Sequence, residues 1–114
     1  MDEQILFEAV EQLRAARQVE ADCALVLADA EANLGRIRAI FLAGCYESGK
    51  IDGKNEAQRK LQEVDLLAQS EVVKNSEADL RLATSKHVVA RIEREYRGDR
   101  YRAMLALMGP QRSD

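Results

Sequence analysis

The sequence predicts an all-α protein: a long antiparallel two-helix hairpin of coiled-coil type, with a short C-terminal helix, dimerising into a helical bundle. Three observations predict it. One Pro and six Gly in 114 residues leave little to interrupt a helix. Apolar residues recur at heptad spacing on both sides of a single break near residues 48–54. Aromatic residues are only 4% and Trp is absent, so the apolar content is largely Ala, Leu and Val, which suits thin seams between helices. A chain of this length is expected to form one domain.

The first helix is expected over about 3–47. One heptad row reads Leu6, Leu13, Glu20, Leu27, Leu34, Phe41, and its companion reads Ala9, Ala16, Cys23, Ala30, Ile37, Gly44. Large residues in one row and small ones in the other let a partner helix approach closely. A third row, Ile5, Gln12, Val19, Val26, Asn33, Ile40, is apolar at four of its six places, so the stripe is wider than one helix contact needs.

The break, 48–54, contains "SGKIDGK". Gly49 and Gly53 can take positive backbone angles, and Asp52-Gly53 is a common turn pair. Asn55 then caps a second helix over about 55–97, with Gln58 three places on to return a hydrogen bond. Its seam is expected along Leu61, Ala68, Asn75, Leu82, Val89, Tyr96 and along Ala57, Val64, Glu71, Ala78, Ser85, Ile92. Folding the chain at Ile51 would place Phe41 on Leu61, Leu34 on Ala68, Leu13 on Val89 and Leu6 on Tyr96. Leu27 would meet Asn75, and Glu20 would meet Leu82, setting two polar residues in one stretch as a register device or a water-accessible patch. Residues 1–49 carry nine acidic and four basic side chains, whereas residues 50–114 carry eleven acidic and thirteen basic. The same fold would bring Glu11 to Arg91, Glu8 to Arg94 and Asp2 to Arg100. A final helix is expected over about 99–108, capped by Asp99, stopped by Gly109-Pro110, and projecting beyond the start of the first helix.

Most catalytic readings fail on the residues. "GCYESGK" fits the G-x-x-x-x-G-K opening of a phosphate loop, but a helix precedes it and Ile51 stands where a magnesium-binding Ser or Thr belongs. His87 is the single histidine and has no Cys or carboxylate at ligand spacing, so neither a metal nor another cofactor is expected. Cys23 and Cys45 would lie about 33 Å apart on one helix, too distant to bridge within the chain. Ser48, Ser70, Ser76 and Ser85 lack a basic partner in any motif. No enzyme activity is expected. "RGD" at 97–99 is read as chance. The longest apolar runs fall far short of the roughly 18 residues that span a bilayer, and "MDEQILFEAV" opens unlike a targeting signal, so the expectation is a cytoplasmic protein without a membrane partner.

Gly49, Lys50, Gly53, Lys54, Asn55, Glu56 and Arg59 within "SGKIDGKNEAQRKLQ" resemble the hairpin of small helical proteins of tailed bacteriophages, which carry a G-K-x-x-G-K-N-x-x-x-R turn before a long charged helix. The resemblance covers about 48–75. It implies a phage or prophage origin, hence a host-cell cytoplasmic location, and no particular activity.

The wide apolar stripe implies a partner surface. The reading is a non-enzymatic protein–protein interaction module, homodimeric, with a phage-encoded inhibitor or adaptor of a host or replication protein as its sharper form. Val19, Val26, Ile40, Tyr101, Met104, Leu105 and Met108 are its candidate contacts. The alternative is a nucleic-acid-binding accessory of phage recombination or replication. It would use Lys50, Lys54, Arg91, Arg94, Tyr96, Arg97, Arg100, Tyr101 and Arg102, with Arg on phosphate and Tyr stacked on bases. The arginines spiral round a helix rather than forming one stripe. A virion assembly or scaffolding role ranks third.

Overall fold

A computed structural model describes residues 2–109. Its elements are α1 (Glu3–Glu47), α2 (Glu56–Gln69) and α3 (Glu71–Met108), with no strand among the described residues. The chain divides into two compact units. A terminal unit is formed by Met1–Val26 with Thr84–Asp114, and a loop unit by Leu27–Ala83. Pro110, expected to stop the last helix, lies outside the described residues.

Each helix end has an identifiable cause. Asp2 caps α1, its Oδ1 accepting from the Gln4 amide at 3.0 Å. The C-terminus of α1 closes in a Schellman motif: Lys50 N donates to Cys45 O at 3.0 Å and Gly49 N to Tyr46 O at 3.2 Å. Gly49 takes the left-handed place there, at φ 78°. Asn55 caps α2, accepting from Gln58 N at 2.9 Å.

Between these caps the chain does not simply reverse. Ile51 is buried, and the following residues run back beside the first turns of α2. Gln62 Oε1 accepts from the amides of Asp52 and Gly53 at 3.1 and 2.8 Å, and Gln58 Oε1 accepts from Lys54 N at 2.8 Å. Arg59 Nη1 donates to Gly53 O at 3.2 Å. Gly53 has no positive φ; it is glycine because a Cβ would stand 2.8 Å from Arg59 N. The G-K-x-x-G-K-N-x-x-x-R pattern is thus a clasp, with Gly49, Gly53, Asn55 and Arg59 each holding one part of it.

The clasp changes the register. The opening turns of α2 pack on the loop, so α1 meets residues further along the chain. In the loop unit Tyr46 Oη donates to Glu63 Oε1 at 2.9 Å, which raises the phenol's pKa, and Arg38 pairs with Glu77 at 3.2 Å. In the terminal unit Glu20 meets Arg94, not Leu82, a displacement of about three helical turns. The helices are antiparallel within each unit, but Val89 is exposed rather than packed on Leu13, and Arg94 is taken by Glu20 rather than Glu8.

The second helix also differs from expectation. It is interrupted at Ser70, and α3 then runs without a break through Gly98. Ser70 ends α2, its amide donating to Leu67 O at 3.3 Å, and starts α3, its Oγ accepting from Val73 N at 3.3 Å. No separate helix begins at Asp99, whose carboxylate bonds Arg102. A glycine inside a helix costs only about 1 kcal/mol relative to Ala, and contacts with α1 on both sides of Gly98 carry α3 past it.

The seam on α1 follows the two expected rows as far as Phe41: Ala9, Leu13, Ala16 and Leu34 are buried, and Leu6, Glu20, Cys23, Leu27, Ala30, Ile37 and Phe41 half-buried, but Gly44 is exposed and Cys45 beside it is buried instead. On α3 the expected rows are wrong. Leu82, Val89, Ile92 and Tyr96 are exposed, as are Leu61 and Val64 on α2. Along the seam Val73, Ser76, Ala83 and Ala90 are buried, and Leu80, His87, Arg94, Arg97, Tyr101, Met104 and Met108 are half-buried. These residues alternate in steps of three and four, a true heptad that side-chain size disguises. The new register also removes the projecting end, because Tyr101 lies with Val10 and Leu13 of α1.

Ser76 Oγ is buried within this seam and has no hydrogen-bond partner. An unpaired buried hydroxyl is unfavourable and Ala is the better helix former, so Ser76→Ala should stabilise the protein by about 1 kcal/mol. Urea denaturation checks this through a higher midpoint at unchanged slope.

Candidate interaction surface

In the terminal unit, one side of the α1–α3 seam is a groove. Its first part, about 280 Å³, is lined by Gln12, Ala15, Ala16 and Val19 of α1 and by Ala90, Glu93 and Arg97 of α3. Its second part, about 430 Å³, shares Val19, Ala90 and Glu93 and adds Cys23, Ser85, Lys86 and Val89. The small residues of the α1 companion row make the floor. Val19 and Val89 rise from the two helices as its walls, 53% and 66% exposed. Val26 continues the α1 row, and Ile92 and Tyr96 are exposed on the next turns of α3. In the loop unit Ile40 is exposed in the same heptad row.

Val19, Val26 and Ile40 therefore stand free, and Leu105 is partly exposed. Tyr101, Met104 and Met108 do not share their surface: they occupy seam places and are half-buried. Sequence reasoning missed Val89, Lys86 and Cys23 as neighbours of Val19. Val89 was legible as a large apolar residue, but its exposure depends on the register.

Ion pairs hold the groove's rim and the seam beneath it. Arg94 binds Glu20 in a fork, Nε to Oε1 at 3.0 Å and Nη2 to Oε2 at 3.1 Å. The guanidinium hydrogen bond holds the Glu20 carboxyl below its ordinary pKa of 4.5, against the opposing effect of burial. A carboxyl lowered in the folded state contributes stability above that ordinary value and loses it as pH falls through the lowered one. Glu20→Gln should therefore lower stability at neutral pH and flatten its fall below about pH 4.5, as urea midpoints across the acid range would show.

The basic run is engaged throughout. Arg97 donates to Glu93 at 2.7 Å and to Gln12 at 3.0 Å, and Arg100 donates to Gln12 at 2.8 Å. Gln12, the polar exception near the start of the third row, thus bridges two arginines. Arg91 pairs with Glu95 at 3.9 Å, Arg102 bonds Asp99, and Arg97 sits 5.2 Å from the Tyr96 ring. The acidic partners are Glu20 and carboxylates of α3 itself, not Asp2, Glu8 and Glu11. Lys50 and Lys54 are exposed at the clasp. The loop amides that could wrap a phosphate are taken by Gln58 and Gln62.

Comparison with protein-family models, curated proteins and solved structures finds no match.

Among the described residues, no group of three or more His, Cys, Asp or Glu is placed to hold a metal, and no helix is long and apolar enough to cross a membrane. Cys45 is buried, and Cys23, half-buried in the groove floor, is a free thiol. The surface offers apolar area flanked by charge. Such surfaces take up the apolar face of another helix.

Proposed function

We propose that this chain is a non-catalytic protein-interaction module whose working surface is the groove around Val19 and Val89. The observation that carries the reading is the exposure of large apolar residues on both helices of one groove. Val19 and Val89 face solvent there, and Val26, Ile92 and Tyr96 are exposed on neighbouring turns. A helix pair that needed only its own stability would place polar residues at these positions, and contiguous apolar surface of this kind is characteristic of binding sites. An inhibitor or adaptor of a host or replication protein is the sharper form of this reading, resting on the turn resemblance.

Affinity capture with the wild-type chain and with Val19→Glu/Val89→Glu tests it. Both positions are exposed, so circular dichroism should show unchanged helicity. A protein held by the wild type and lost by the variant supports the reading; partners held equally by both overturn it. Nucleic-acid binding is the competing outcome, seen as oligonucleotide binding at low salt that survives the valine substitutions.

A further inference from the structure

We propose that the groove is covered by a second copy of this chain, turned so that α3 of one copy lies on α1 of the other. The proposal rests on the protein-interaction reading above and adds the identity of the occupant.

The charge distribution selects it. In the terminal unit, the α1 segment 2–26 carries six acidic and two basic side chains, and the α3 segment 84–109 carries six basic and three acidic. The arginines of that α3 segment are engaged within the chain, so the charges left for a partner are those beside the groove. Asp22 lies one turn beyond Val19 on α1, and Lys86 lies one turn before Val89 on α3. Lys86 lines the groove and has no ion-pair partner among the described residues. The best occupant is therefore an amphipathic helix with an apolar row flanked by positive charge, on a partner that also offers an apolar row flanked by negative charge. This chain is such a partner. A two-fold axis makes the match reciprocal: Lys86 of each copy approaches Asp22 of the other, while the valine rows close over one another. The opposite choice, α1 on α1, would set acidic flanks together and is disfavoured.

The test begins with light scattering and sedimentation of the full chain across concentration. A dimer of twice 12.8 kDa is expected, and Val19→Glu should weaken it by at least about tenfold. Phe7→Glu, on an exposed position away from the groove, should not. The Cys23 thiol should react with Ellman's reagent more slowly in the dimer than in the Val19→Glu variant, with buried Cys45 as an internal reference.

Orientation is read from charge reversal. Asp22→Lys and Lys86→Glu should each weaken self-association by about tenfold, since each turns two attractive pairs repulsive. Mixing the two variants should restore association, because the mixed dimer contains both pairs with matched sign. Both sites lie on the surface, so the folded helix pair is retained.

A chain that stays monomeric at high concentration overturns the proposal. So does a dimer indifferent to Val19→Glu, or one in which the two charge variants fail to complement. If the monomer still captures another protein in a Val19-dependent way, the second copy is wrong and the interaction reading stands. If nothing is captured and no dimer forms, both fall.

Discussion

Gly53→Ala should destabilise the protein by about 2–3 kcal/mol, lowering its thermal midpoint by roughly 10 °C. Nothing about the backbone angle of Gly53 forbids alanine. The obstacle is the neighbour: a Cβ would fall 2.8 Å from Arg59 N and Gln58 Cβ, and 3.0 Å from Gln58 C. Two of these atoms are backbone at the start of α2, so no rotamer change relieves the overlap. Either the loop lifts away or the first turn of α2 shifts. Lifting breaks the amide hydrogen bonds to Gln58 and Gln62 and the Arg59 bond to Gly53 O, each worth about 1 kcal/mol. It also unseats Ile51, which is 5% exposed. Gly35 provides the control. A Cβ there has nothing within 4 Å, so Gly35→Ala should stabilise α1 by about 0.5–1 kcal/mol through helix propensity. Chemical denaturation of both variants separates the explanations: equal behaviour would mean that the clasp is not what requires Gly53.

The clasp also shows how far sequence reasoning reaches here. The helical class was legible in the heptads and the shortage of Pro and Gly, and the groove's α1 wall was legible in the third row. What could not be read was the return path of the loop. Gly49, Gly53 and Asn55 announce a turn, but only the hydrogen bonds of Gln58, Arg59 and Gln62 reveal that the turn lies against α2. That packing moves every pairing on α3. The interruption at Ser70 had a signal, a serine followed by Glu71 and two valines, which the strong periodicity around it masked.

The seam on α3 gives the second large effect, because hydrophobicity and burial disagree there. Leu82 and Val89 are the larger apolar residues, yet they are exposed; Ala83 and Ala90, beside them in sequence, are each 5% exposed. Helix packing explains the choice. The α1 rows contribute Leu13 and Leu34 to the seam, and large side chains on one helix need small ones opposite to keep the axes close. Leu13→Ala should thus cost about 2–4 kcal/mol by leaving a cavity, and Ala90→Leu about 2–3 kcal/mol by overfilling the space beside Ala16. Leu82→Ala and Val89→Ala should stay within about 0.5 kcal/mol of the parent monomer, since little burial is lost. Measured at a concentration where the chain is monomeric, this pattern would be reversed if the larger residues formed the seam. At concentrations favouring association, Val89→Ala should lower the melting temperature while Leu13→Ala remains the more damaging change. The difference between those two conditions separates the residues that hold the helices together from those kept for a partner.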